Sequence, residues 1–388
     1  MPRETGDRYP ARTMRLLDRY LFRELLSPLG YCLGGIVILG VSGTLFNQLD
    51  ELQERKMHFL DILEYAVALT PEFLVTALPV VVLLALLYAL TNHARANEIT
   101  AMRAAGVSLW RVCVPYFMVG CIASAALFVL NEFVVPPSTD WAGHIKGRHV
   151  QKADDPDFQN EFHKNGFNNE RENRKWFFDE YRVGTVEMLR PIVIWTLPDG
   201  SSHQLRAARA IRTNGVWTFF NVTEGMQTND MAEMVPILPA NPEELPMPEF
   251  DETPWQINDE IKINSFLSEG IVRKADIPLK DIFGYWRLHP NPPRSISDKL
   301  LTELHGRLAA PWTCLVVVFI AIPFGVASGR RNLFVGVAGS LGICFTYFVI
   351  EKVSLGLGSV GDLPAWLAAW LPNLVFGAAG LFLMSRVR

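Results

Sequence analysis

The chain has 388 residues, 49% of them hydrophobic and 20% charged, with a formal net charge of -4. A balance so near neutral, with no long basic run, excludes nucleic acid as the expected partner. The five cysteines, Cys32, Cys113, Cys121, Cys314 and Cys344, all fall in apolar stretches. They offer no disulfide framework or zinc spacing, and no metal or other cofactor is implied.

Hydropathy divides the chain into three. Residues 1–135 and 308–388 are dominated by apolar runs, whereas 136–307 is charged, proline-dotted and ordinary for a water-exposed domain. The first residues are basic, yet no short apolar core with a small-residue cleavage site follows, so the N-terminus is expected to be retained.

Crossing a hydrocarbon core takes about 20 apolar residues, because a helix must satisfy its own backbone there. Six segments qualify: Leu29–Leu49, Leu63–Leu90, Leu109–Val135, Leu308–Ala327, Leu333–Val353 and Ala365–Met384. Pro79 and Pro323 are expected to bend their helices, and Gly336, Gly339 and Gly342 form a small-residue stripe suited to close helix contact.

Arginine placement gives the orientation. Arg12, Arg15, Arg19 and Arg23 precede the first span, Arg95, Arg103 and Arg111 join the second to the third, Arg330 and Arg331 join the fourth to the fifth, and Arg386 and Arg388 end the chain. In the alternate connections Arg55 and Lys56 are outweighed by Asp50, Glu51, Glu54 and Asp61, and Val353–Leu363 has no basic residue. Both termini are therefore expected in the cytoplasm and residues 136–307 outside it.

Between the second and third spans runs Asn97-Glu98-Ile99-Thr100-Ala101-Met102-Arg103-Ala104-Ala105-Gly106-Val107-Ser108. On a helix Glu98 and Met102 share a face, and Ala101, Ala104 and Ala105 form a small surface. Gly106 can end that helix in the left-handed conformation, and Ser108 can cap the next. Such a helix could dock into a partner's groove or stand as a solvated loop.

The inserted domain reads as mainly β, a sandwich or open barrel. Lys175–Val183, Val186–Leu197, His203–Arg212 and Gly215–Thr223 are rich in β-branched and aromatic residues and separated by turn signals such as Asp199-Gly200. The proline-rich, acidic 236–254 segment is expected to be a loop. Ile296–Leu304 looks helical and runs toward the fourth span. There Glu303 and Arg307, four apart, can pair at the membrane boundary, and Pro311 falls in a first helical turn.

Glu72, Glu132 and the Glu351-Lys352 pair all lie near span ends, so no carboxylate or histidine stands at a midplane as a proton-coupled carrier requires. Nucleotide-binding, metalloprotease and hydrolase signatures are absent, so any ATP is used by another chain. Asn221-Val222-Thr223 matches a glycosylation sequon only as a three-residue pattern.

Leu17-Asp18-Arg19-Tyr20, Pro71-Glu72 with Pro79, the Glu98–Ser108 and Glu303–Pro311 segments, Leu363-Pro364-Ala365-Trp366 and Leu371-Pro372, in this order, resemble the LptF/LptG (YjgP/YjgQ) permeases of lipopolysaccharide export. Asp18 and its neighbours, with Glu132–Pro136, look closer to the LptG half. The resemblance implies an α-helical polytopic membrane protein, six transmembrane helices arranged 3+3, with an inserted extracytoplasmic jellyroll-like domain. It further implies pairing with a homologous permease subunit, a cytoplasmic ABC ATPase dimer, and periplasmic proteins that receive the lipopolysaccharide. Residues 95–107 become the coupling helix, with Glu98 as its docking carboxylate and Met102, Arg103 and Gly106 beside it. Lipopolysaccharide would enter through a lateral opening bordered by the first and fifth spans. Some members carry a basic residue near the outer end of the first span, but this chain has none between Arg23 and Arg55, so Arg55 and Lys56 are the candidates for the lipid's phosphates. A rival expectation is a membrane-anchored periplasmic scaffold.

Overall fold

The computed structural model describes residues 16–54, 57–148, 166–182, 185–197, 200–227, 235–237, 241–269, 277–327 and 333–386. Arg12, Arg15, Arg55, Lys56, Asp199, Arg330, Arg331 and Arg388 lie outside them. The chain forms two compact units, one from 1–145 with 305–388 and one from 146–304.

The first unit is helical. It holds α1 (Leu16–Asn47), α2 (Leu49–Glu54), α3 (Phe59–Arg95), α4 (Glu98–Ala104), α5 (Leu109–Val129), a π turn (Leu130–Val134) and α6 (Val135–Arg148). The second-unit helices follow as α7 (Pro254–Glu269), α8 (Leu279–Leu288) and α9 (Arg294–Ala309), the last ending in the first unit. The chain returns through α10 (Trp312–Ala327), α11 (Leu333–Val360) and α12 (Ala365–Arg386). The helices overrun the expected spans: α1 starts at Leu16 and α3 covers Phe59–Arg95. Hydropathy marks the part that sits in lipid, whereas helical hydrogen bonding continues past it into polar sequence.

Five helices among the described residues are long and apolar enough to cross a membrane without interruption. The expected fourth span is different. Its 16-residue α10 meets α9 at a 50° bend, and only the pair together makes a sixth crossing or a broken one. Proline explains the break, because Pro311 has no amide proton and its ring would strike the carbonyl one turn earlier.

The helical core is built on α3, whose Val82, Leu83, Leu86 and Leu90 pack with Leu21 and Leu25 of α1, Cys113 and Tyr116 of α5, and Val318 and Ala321 of α10. Lipid gives no hydrophobic drive between helices, so close approach at small residues matters. The close contacts lie away from the expected stripe. A methyl group added at Gly325 would stand 2.6 Å from Leu90 Cβ, and one at Gly380 2.8 Å from Phe319 Cβ. At Gly342 nothing lies within 4 Å, at Gly339 only the Phe324 ring at 3.6 Å, and Gly336's surroundings are outside the description.

The second unit carries eleven described strands in two antiparallel sheets. One has the order β1-β2-β5-β6-β9-β10 and the other β11-β8-β7-β4-β3. Each long strand expected from the sequence divides across a two-residue corner and serves both sheets. β2 (Arg174–Phe177) turns at Phe178-Asp179 into β3 (Glu180–Arg182), and β4 (Glu187–Leu189) at Arg190-Pro191 into β5 (Ile192–Thr196). β6 (Ser202–Arg206) turns at Ala207-Ala208 into β7 (Arg209–Thr213), and β8 (Val216–Phe220) at Asn221-Val222 into β9 (Thr223–Gln227). Corner backbones bond each other: Arg190 N donates to Ala208 O at 2.9 Å, and Ala207 N to Pro191 O at 3.0 Å. Trp176, Trp217, Phe219 and Phe250 fill the space between the sheets, with the Trp176 and Trp217 rings 5.6 Å apart. Asn214 and Gly215, both with positive φ, make the tight β7–β8 turn.

One reading of this unit changes. The proline-rich segment expected as loop contributes β10 (Val235–Ile237) and β11 (Glu244–Met247), each at the edge of its sheet, where a proline without an amide donor is tolerated. Outside the two sheets, α7 and α8 with the start of α9 enclose a second core of Ile263, Ile282, Tyr285 and Leu300. Thr253 starts α7, its amide and hydroxyl both donating to Gln256 Oε1, at 2.8 and 2.7 Å.

Candidate functional site

At the end of the helical unit where α3 gives way to α5, the polypeptide turns twice within a few residues. Asn97 at φ 55° breaks α3 from α4, and Gly106 at φ 84° breaks α4 from α5. Gly106 N donates to Arg103 O at 3.0 Å and Val107 N to Met102 O at 3.1 Å, closing the last turn through a left-handed residue. Ser108 then caps α5 by accepting from Arg111 N at 3.3 Å. The residues 98–108 thus form one short helix with fixed ends.

Its two faces differ. Ile99 is buried and Met102 packs against the core, whereas Thr100, Ala101, Arg103, Ala104, Ala105 and Gly106 are exposed. Glu98 lies at the edge between them, with 37% of its side chain exposed. Its Oε2 is 2.6 Å from Nδ1 of His93, a residue buried at the end of α3, and the Tyr20 hydroxyl lies 3.2 Å from both carboxylate oxygens. The Tyr20 and His93 rings meet edge to face at 5.7 Å. Nearby, Asp18 Oδ2 accepts from Arg111 Nη2 at 2.6 Å, tying α1 to α5. The structure therefore brings Glu98, Met102, Arg103 and Gly106 together on one helix. Tyr20 and His93 hold that helix from α1 and α3, and the Asp18–Arg111 pair ties α1 to α5 beside it; the sequence pattern marks none of the four as a site residue.

The boundary residues Glu303 and Arg307 are both buried. Arg307 Nη1 donates to Asn131 O at 3.2 Å and lies 3.8 Å from Glu132 Oε2, so the π turn supplies it with a carbonyl and a carboxylate. Arg55 and Lys56, the expected phosphate contacts, fall outside the described residues.

In the second unit, α7 and α8 bring buried acids together. Burial, then the neighbouring Asp281 carboxylate, raises Asp259 to about 7. His289 has Glu260 at 3.0 Å from Nε2 and Glu170 at 3.2 Å from Nδ1. Burial works against its charge, but the two carboxylates outweigh this and raise its pKa. Among the described residues no group of three or more His, Cys, Asp or Glu has the arrangement to hold a metal ion.

The model of the family described as "Lipopolysaccharide export system permease LptF/LptG" matches residues 19–386, nearly the whole chain. The chain belongs to this family. Curated proteins give no match. As an LptF/LptG permease it is a multi-pass inner-membrane protein of lipopolysaccharide export, and its inserted two-sheet unit fits the family's jellyroll. The match takes in Tyr20, His93, the whole of α4, and Glu303 with Arg307.

Proposed function

We propose that this permease is the non-catalytic membrane subunit of an ABC transporter that lifts lipopolysaccharide out of the inner membrane and passes it to a periplasmic bridge. The observation that carries the reading is α4: a helix fixed at both ends between two long spans, with an exposed face of small residues and Arg103. That face suits a groove on a cytoplasmic ATPase, and Glu98 at its edge is the docking carboxylate, held from behind by His93. Family membership supports the partners: a homologous permease subunit, an ATPase dimer, and periplasmic proteins that receive the lipid.

The orientation has both termini in the cytoplasm and the jellyroll in the periplasm. The ties among α1, α3, α4 and α5 gather Arg19, Arg23, Arg95, Arg103 and Arg111 at one end of the helical unit, in keeping with the positive-inside rule. Arg55 and Lys56, which follow α2 in the sequence, are assigned to the lipid's phosphates. An energy source outside the chain is required, since each acyl CH₂ withdrawn from lipid costs about 0.8 kcal/mol. Anchorage alone would need one or two spans, so the packed bundle around α3 favours transport over a scaffold.

The test is affinity purification from native membranes. A stoichiometric ATPase is expected with the wild-type chain, and Ala104→Arg or Glu98→Ala is expected to release it while the membrane protein stays folded. Undiminished ATPase and export in both variants would overturn the docking assignment.

A further inference from the structure

We infer that Tyr20 is a positioning residue that transmits movement of α4 to α1, with Asp18 supplying the fixed point beside it. This rests on the reading of α4 as the ATPase-docking helix. α1 is held unevenly along its length. Its buried residues are Asp18, Leu21, Leu25 and Pro28, all in the first half of a 32-residue helix. Beyond them Tyr31 is 82% exposed, Leu39 74% and Phe46 76%. α1 is buried at its foot, whereas its upper length carries no fully buried residue and lies on α3 through half-buried positions such as Gly40, against Phe73, and Leu45.

Two polar ties act on that foot, two residues apart in sequence. Asp18 reaches Arg111 in the first turn of α5 at 2.6 Å, and Tyr20 reaches Glu98 in the first turn of α4 at 3.2 Å. Glu98 is in turn 2.6 Å from His93 on α3. The outer contact, Tyr20 to Glu98, is open to solvent, with Tyr20 43% exposed and the Glu98 side chain 37%, whereas His93 behind it is buried, so the bond to the carboxylate is modest at its outer end and costly to leave unmade at its inner one. One tie attaches α1 to the helix that follows α4 and the other to α4 itself. A tilt of α4 against α5 therefore loads the two ties differently and turns α1 about its buried lower part.

Geometry separates the two parts of α4. Its exposed face and the outer edge of Glu98 meet the partner, while the contacts of Glu98 with His93 and Tyr20 carry the displacement inward. Tyr20→Phe removes the hydroxyl and keeps the ring that packs on His93, so it changes transmission without changing the docking face.

The experiment uses the complete complex with its ATPase in proteoliposomes loaded with lipopolysaccharide, and reads lipid extracted per ATP hydrolysed. For Tyr20→Phe the ATPase is expected to remain bound at wild-type stoichiometry while lipid per ATP falls about fivefold or more, the range of an ordinary coupling energy. His93→Gln, which retains an amide donor for Glu98, is expected to keep more of the ratio than His93→Leu. Wild-type lipid per ATP in Tyr20→Phe, together with loss of the ATPase in Ala104→Arg, overturns this inference and leaves the docking assignment standing. An Ala104→Arg complex that keeps its ATPase and its export overturns both.

Discussion

The side-chain amide of Asn373 on α12 donates to the backbone carbonyl of Ala309, 2.9 Å away at the end of α9. Proline accounts for the need. With the helix interrupted at Pro311, Thr313 N turns back to Ala310 O at 3.1 Å, leaving the Ala309 carbonyl to find another donor. Asn373 is held in turn by the Tyr347 hydroxyl at 2.8 Å, which lies 2.7 Å from Thr313 Oγ1. All four residues are buried, so the broken fourth span is closed by a side-chain clasp where water cannot serve.

Replacing Asn373 by Leu is expected to lower stability by about 1–3 kcal/mol, the cost of a buried acceptor left unmade. Thr313→Val is expected to cost less, because the Tyr347 hydroxyl still donates to Asn373. Thermal unfolding of both variants in the same detergent checks the order.

Gly325 and Gly342 offer a second comparison. Gly325→Ala drives a methyl into Leu90 and is expected to destabilise by about 1–3 kcal/mol, as overpacking does. Gly342→Ala meets open space and is expected to be neutral or slightly stabilising, through its helix propensity. Equal melting temperatures for the two variants would contradict the packing described.

Asp259 gives the jellyroll unit a pH dependence. Burial first, and Asp281 second, raise its pKa from 3.8 to about 7. A raised folded-state pKa makes its contribution complete below the unfolded value and lost as pH climbs through about 7. Wild-type protein is thus expected to lose stability as pH rises from about 4 to about 7, between the unfolded and folded values, and to level off above. Asp259→Asn is expected to flatten the profile and to be the more stable form above it, by on the order of 2 kcal/mol. Melting curves across that pH range decide.

Arg174 makes a fourth test. Only 7% of its side chain is exposed, it lies 3.0 Å from Glu252, and it donates to Glu249 O at 2.6 Å, pinning the segment that leads into α7. Arg174→Met strands the buried Glu252 carboxylate, whose pKa burial already raises, and is expected to cost about 3–5 kcal/mol. Pairing it with Glu252→Gln is expected to recover part of that loss in a double-mutant cycle.

What the sequence discloses follows from how local the physics is. The apolar runs mark the spans because lipid admits little else, and Gly106 and Ser108 mark the ends of α4 because caps are local. The bend at Pro311 is harder to read, since a proline in a first turn and one that interrupts a span look alike until a distant Asn373 takes up the freed carbonyl. Alternation reveals strands such as Lys175–Val183, but their division between two sheets depends on corner partners far along the chain, Arg190 on Ala208 among them. Glu98 stands out by its helix, whereas Tyr20 and His93 belong to other helices and nothing near them in sequence announces the carboxylate they share.

The four corners of the jellyroll bear on which lengths of this chain are free to change. Side chains alternate faces along each folded strand on both sides of its bend, so one added residue inside Lys175–Val183 or His203–Arg212 would displace pairing in one sheet and turn inner side chains outward. Residues added at the hairpin tips, as at Asn214-Gly215, disturb only a turn. Natural variation in segment length is therefore expected to gather at the tips, and the distance from bend to bend to behave as a fixed ruler for the whole unit.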